Sequence, residues 1–163
     1  CTLPDGRLIT SDQYGALYRV TTGSTATDTT VEKLDCALGG AQGLLWAFDR
    51  LYVVVNDRGD RAGLYSVAFD GDKPGKVTKL RPFQGAGGEH GCHAVMLHPD
   101  GKRLTVVCGN QTKLTDCETS RVPRLWGDDH LLPRVPDGNG FMKGVLAPGG
   151  FIFTCDPDGK TAE

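Results

Sequence analysis

Gly43-Leu44-Leu45-Trp46-Ala47-Phe48, Leu51-Tyr52-Val53-Val54-Val55-Asn56 and Gly63-Leu64-Tyr65-Ser66-Val67 follow one another with few residues between them. Each run is short and rich in β-branched and aromatic side chains. Each is bounded by Gly, Asp or Asn, the pattern of strands joined by turns.

The same order recurs on either side. Upstream come Pro4-Asp5-Gly6, Arg7 to Asp12, Gly15 and Ala16 to Val20; downstream come His93 to Leu97, Pro99-Asp100-Gly101, Leu104 to Asn110 and, after a gap, Phe151 to Thr154. Each unit reads as strand, turn, strand ending in Asn or Asp, loop, strand. In the Pro-Asp-Gly triplets Pro presets φ and Gly accepts φ > 0. Leu8 and Leu51 are 43 residues apart, and Leu17 and Leu64 are 47. Repeats of about 40–50 residues with several short strands each are the signature of propeller blades, which stack because one blade cannot cover its own faces. The expectation is an all-β chain forming part of a β-propeller, with three blade units at 1–35, 36–85 and 86–163. A long Pro- and Gly-containing insertion occupies 111–148. No segment reads as a helix, and Thr22 to Thr30 reads as an exposed polar loop. Both ends read as cut, because the chain opens on Cys1 directly into strand-like sequence and stops just after a turn.

Composition excludes several function classes. A net charge of −2 with mixed signs gives no footprint for nucleic acid. No apolar run approaches the ~18 residues of a membrane span. Glycine supplies 23 of 163 residues, scattered between apolar runs as turn residues. The six cysteines include no Cys-x-x-Cys pair, which removes zinc ribbons and thioredoxin-type motifs. Cys92-His93 lacks the upstream partner of a Cys-x-x-Cys-His site, so no c-type haem attaches to this segment. The even number permits disulfides without showing them, and Cys108 reads as a small buried hydrophobe.

The densest polar cluster is Gly87-Gly88-Glu89-His90-Gly91-Cys92-His93, just ahead of a strand and therefore at a sheet rim. His90 is a candidate general base, since imidazole titrates near neutral pH and can take a proton from a hydroxyl. A metal held by His90 and His93 would need a bend, because residues three apart on a strand face opposite ways. Backbone carbonyls satisfying both rings is the alternative. Gln42, in Gly39-Gly40-Ala41-Gln42-Gly43, sits at a second rim position and offers both donor and acceptor. Asn110 ends the strand that follows His90; it could orient an imidazole or simply form an Asx-type turn. In the insertion, Trp126-Gly127-Asp128-Asp129-His130 suits sugar or cofactor contact by stacking and hydroxyl recognition, or anchors the loop. Asp156-Pro157-Asp158-Gly159 lacks the later ligands of a calcium loop and reads as a turn. Arg58-Gly59-Asp60 also reads as a turn.

Gln42-Gly43-Leu44-Leu45, His90 ahead of an apolar strand, Pro99-Asp100-Gly101 and Gly109-Asn110 stand in an order that resembles the soluble quinoprotein glucose and sorbosone dehydrogenases. The resemblance implies a six-bladed propeller using pyrroloquinoline quinone (PQQ) and calcium. It implies His90 as the base, Gln42 in contact with the quinone and Asn110 orienting His90. Asn110 stands where that family has Asp, and an amide cannot stabilise a cationic imidazole by charge. The family's arginine and calcium ligands would come from later blades. Leu38 to Leu45, Gly88 to Gly91, Ser120 to Arg124, Pro136 to Gly140 and Gly144 to Gly150 also resemble the propellers of planctomycete-type membrane-bound or haem-binding dehydrogenases. That likeness implies a secreted or periplasmic bacterial protein, a sugar or alcohol substrate, and a cytochrome c module elsewhere in a longer chain. The alternative is a non-catalytic propeller that binds carbohydrate or a protein.

Overall fold

A computed structural model describes residues 1–12, 14–36, 38–57, 59–84, 88–113, 117 and 150–163. Among them the regular structure is β-strand, apart from two single 3-10 turns at Ala26–Asp28 and Gly59–Arg61. The strands are β1 (Leu8–Ser11), β2 (Leu17–Thr21), β3 (Thr30–Lys33), β4 (Ala41–Ala47), β5 (Arg50–Val55), β6 (Gly63–Asp70), β7 (Lys73–Pro82), β8 (Cys92–Leu97), β9 (Leu104–Cys108) and β10 (Phe151–Cys155). They form three antiparallel sheets: β1-β2-β3, the four-stranded β4-β5-β6-β7, and β10-β9-β8. The protein is all-β.

The central sheet explains the continuous apolar run at Leu51 to Val55. Strand side chains alternate between faces, and every residue of that run is at most 1% exposed. Leu51, Val53 and Val55 join Ile9, Leu17, Leu34 and Leu38 in one core. Tyr52 and Val54 join Val95, Leu104, Val106 and Phe153 in the other. The central sheet is thus packed on both faces, by the first sheet on one side and the third on the other. A strand with two dry faces has no position for a polar residue.

β4 lies along β8, the edge strand of the next sheet. Gly43 permits the approach: a Cβ there would sit 2.8 Å from the His93 carbonyl oxygen. The turns behave as their composition requires. Gly6, Gly101 and Gly159 have φ of 87°, 68° and 69°. In each turn an aspartate also folds back on the backbone that follows it: Asp5 accepts from Arg7 N–H, Asp100 from Lys102 and Arg103 N–H, and Asp156 from Asp158, Lys160 and Thr161 N–H.

Two strands lie outside the sequence reading. β3 takes up the last residue of the polar segment Thr22 to Thr30 and continues to Lys33 with every residue exposed. β7 runs along the outer edge of the central sheet, mostly exposed, carrying Lys73, Lys76, Lys79 and Arg81. Lysine on an exposed edge strand discourages pairing with another chain, and it also erases the apolar pattern by which strands are read.

Candidate functional site

The antiparallel meander brings the start of β4, the end of β5, the start of β8 and the end of β9 to one rim. Gln42, Asn56, His90, His93 and Asn110 all lie on it. The rim is tied together across the sheets. Asn56 Nδ2 donates to Gly88 O at 2.8 Å. A Cβ on Gly91 would fall 1.9 Å from Asn56 Oδ1, so only glycine lets the segment before β8 cross the Asn56 side chain.

Gln42 and His93 occupy the same kind of position in neighbouring sheets. The β4–β5 register slips between Ala41 and Gly43, leaving Gln42 as the extra residue of a β-bulge. The β8–β9 register slips between Cys92 and Ala94, leaving His93 as the extra residue. Bulges re-aim a side chain out of the pleat. Here the two re-aimed side chains meet: His93 Nδ1 and Gln42 Oε1 are 3.0 Å apart. Since Gln42 Oε1 can only accept, Nδ1 is the donor, and in the neutral tautomer Nε2 is an acceptor. The pair therefore offers an imidazole acceptor beside the Gln42 amide donor. The sequence reading joined Gln42 with His90 and did not name His93 as its partner. The repeat holds that signal, because Gly40-Ala41-Gln42-Gly43 and Gly91-Cys92-His93-Ala94 occupy equivalent stretches of β4 and β8.

His90 is exposed, in the segment just before β8. Its backbone is held by the segment that follows β9. Gln111 N–H donates to His90 O at 2.9 Å, and His90 N–H donates to Gln111 Oε1 at 3.3 Å. A Cβ on Gly109 would stand 2.4 Å from the His90 carbonyl oxygen. Asn110 lies between these two contacts.

Asp12, Asn56 and Asn110 each stand one or two residues past the end of a strand, β1, β5 and β9 respectively, and their partners differ. Asp12 accepts from Tyr14 N–H at 2.9 Å, Ala16 N–H at 3.0 Å and the Tyr18 hydroxyl at 3.1 Å. Partial burial opposes the Asp12 charge, and those bonds outweigh it, so its carboxyl lies below the ordinary range. Asn56 crosses to the next sheet as described. Asn110 Oδ1 is buried and meets no hydrogen-bond donor among the described residues. Buried acceptors are nearly always satisfied, and leaving one bare costs roughly 1–3 kcal/mol.

Among the described residues no group of three His, Cys, Asp or Glu side chains gathers to hold a metal ion. Asp156 belongs to a turn closed on its own backbone and on the Thr161 hydroxyl at 2.6 Å. Trp126 and its neighbours Asp128, Asp129 and His130 lie outside the described residues, as does the insertion apart from 111–113 and 117. Comparison with protein-family models, curated proteins and solved structures finds no match for this chain.

Proposed function

We propose that this rim is the substrate site of a quinone-dependent oxidoreductase acting on a sugar or related alcohol, carried on stacked propeller blades. The observation that carries the reading is the buried Asn110 Oδ1. It is an acceptor placed in the segment that grips His90, and a ring N–H of His90 is the donor it would serve. His90, so oriented, would present its other nitrogen at the exposed rim and take the proton of a substrate hydroxyl. Gln42 and His93 would read neighbouring hydroxyls with one donor and one acceptor. Gln42 also has the amide needed to meet a quinone carbonyl. PQQ, when bound, accepts the hydride from the carbinol carbon, and a cytochrome c module of a longer chain would receive the electrons. In this reading no calcium ligand falls on the described residues, and the protein works in the periplasm or outside the cell.

The stacking of three sheets, with Met96 and Ile152 exposed on β8 and β10, supports the propeller part of the reading. Those side chains suit a further sheet laid against them.

The test is a titration of the complete, longer protein carrying all of its blades with PQQ and calcium, followed by dye reduction on a panel of sugars beside His90→Ala. We expect saturable binding and sugar-dependent reduction that falls by about 10²–10⁴-fold in the variant. Folded protein that binds no PQQ ends the quinoprotein reading.

A second reading has its own observation. Asn110 is neutral, so it can hold an imidazole but offers no charge to a developing imidazolium. That suits a propeller that binds carbohydrate or a protein partner through Gln42, His90 and His93 without redox chemistry. Sugar binding by calorimetry with no dye reduction would decide for it.

A further inference from the structure

We propose that Cys92 and Cys108 form a cross-strand disulfide that pins β8 to β9 directly beneath the rim carrying His90 and Asn110. The two residues are register partners across the β8–β9 ladder. Their sulfur atoms are 3.0 Å apart, closer than unbonded sulfurs rest. Gly109 N–H donates to Gly91 O at 2.7 Å, which makes the adjacent Cys92/Cys108 pair a non-hydrogen-bonded one. In such pairs the Cα atoms stand roughly 4.5 Å apart, at the near end of the ~4.4–6.8 Å that a disulfide spans. Both side chains point into the core formed by the central and third sheets, 0% and 2% exposed.

Cys92 is the attacking group. Its sulfur receives the Cys108 thiol and, against the cost of burial, the Thr112 hydroxyl at 3.3 Å, so its thiol ionises more readily than an ordinary one. The same contact and burial push the Cys108 thiol up. The oxidant is a small-molecule disulfide. Cys92 thiolate attacks one of its sulfurs and expels one thiolate, giving a mixed disulfide. Cys108, losing its proton, attacks the Cys92 sulfur and expels the second. Two protein thiols become one disulfide, and the small disulfide becomes two thiols. Because both sulfurs are buried, the exchange takes place during folding or on local opening of the β8–β9 ladder.

The bond's position gives it a consequence. Cys92 lies two residues after His90 and Cys108 two residues before Asn110. Closing the pair fixes the segments that deliver those two side chains to the rim.

The protein is refolded in a buffer of oxidised and reduced glutathione, trapped with an alkylating reagent and mapped by mass spectrometry. We expect the Cys92 and Cys108 peptides joined, two hydrogens lighter than the sum of the reduced pair. Reduction should lower the thermal unfolding midpoint by roughly 5 °C or more and speed hydrogen exchange at Gly109 and Gln111 N–H. Recovery of both cysteines alkylated, or pairing of either with Cys1, Cys36, Cys117 or Cys155, overturns the proposal. The mapping reads the wild-type chain and needs no activity, so its outcome is independent of the quinone reading.

Discussion

β5 and β7 belong to the same sheet and share β6 as a hydrogen-bonded neighbour between them, yet they obey opposite rules. β5 is Arg50-Leu51-Tyr52-Val53-Val54-Val55, sealed on both faces by the neighbouring sheets. β7 is Lys73-Pro74-Gly75-Lys76-Val77-Thr78-Lys79-Leu80-Arg81-Pro82, the sheet's outer edge. The backbone bonds are alike in kind; what differs is what the side chains must do. On β5 each one from Leu51 to Val55 removes apolar surface from water at about 25 cal/mol per Å². On β7 they leave one edge soluble, and Lys79 lies over the Tyr65 ring with its Nζ 5.5 Å from the centroid.

The sharpest way to break this contrast is a pair of truncations read by urea denaturation. Leu51→Ala should cost about 2–5 kcal/mol, because it empties a fully buried site between two sheets that cannot collapse together. Val77→Ala, on a residue 38% exposed, should cost about 0.5 kcal/mol or less. Similar losses at the two positions would mean that the central sheet is not packed on both faces.

The contrast also accounts for what could be read in the sequence. The strands of the repeating units declared themselves through apolar runs and through Asp-Gly turns, and the all-β architecture followed. β3 and β7 did not, since an exposed edge strand needs no apolar residues and β7 even contains Pro74 and Gly75. At the site, Gln42, His90 and Asn110 were legible as polar residues at strand ends, and the antiparallel topology puts strand ends on a common rim. The Gln42–His93 bond was missed, because a bulge shifts one side chain out of phase; its one trace in the sequence is the equivalence of Gly40 to Gly43 with Gly91 to Ala94. Nor could the Cys92–Cys108 contact be read, since it depends on the register of β8 against β9.

Two turns of the central sheet sharpen the comparison at smaller scale. The β6–β7 hairpin turns on Gly71-Asp72, with Gly71 at φ 56°, the composition a two-residue turn favours. The β4–β5 hairpin turns on Phe48 and Asp49 at φ 50° and 55°, with no glycine. Phe48 recovers something from its edge-on contact with Tyr52, ring centroids 6.3 Å apart. Asp49 has no ring contact to offset its left-handed backbone. Asp49→Gly should therefore raise stability by ~0.5–1 kcal/mol, while Asp72→Gly, where φ is not positive, should not. A loss at Asp49 would show that unfolded-chain entropy, not turn conformation, governs that turn.

The smallest effect concerns a turn that is exposed like β7 but serves the core as β5 does. After β10 the chain reverses through Asp156 and returns as Thr161 to Glu163, with Thr154 and Glu163 exchanging N–H···O bonds of 2.9 Å in both directions. That return buries Ala162 in the core shared with Tyr52 and Phe153. Asp156 holds the reversal. Burial raises its carboxyl, but the Thr161 hydroxyl and the N–H groups of Thr161, Lys160 and Asp158 outweigh this and bring it down to about 2. A carboxyl whose folded pKa is depressed contributes stability above its unfolded value near 3.8 and loses it as pH falls toward 2. The group is largely solvated, so the contribution is about 0.5 kcal/mol or less after screening. Unfolding midpoints of the wild type and Asp156→Asn, measured from pH 5 down to pH 2, should converge across that window. A constant gap would mean that the turn is held by the shape of the Asp156 side chain and not by its charge.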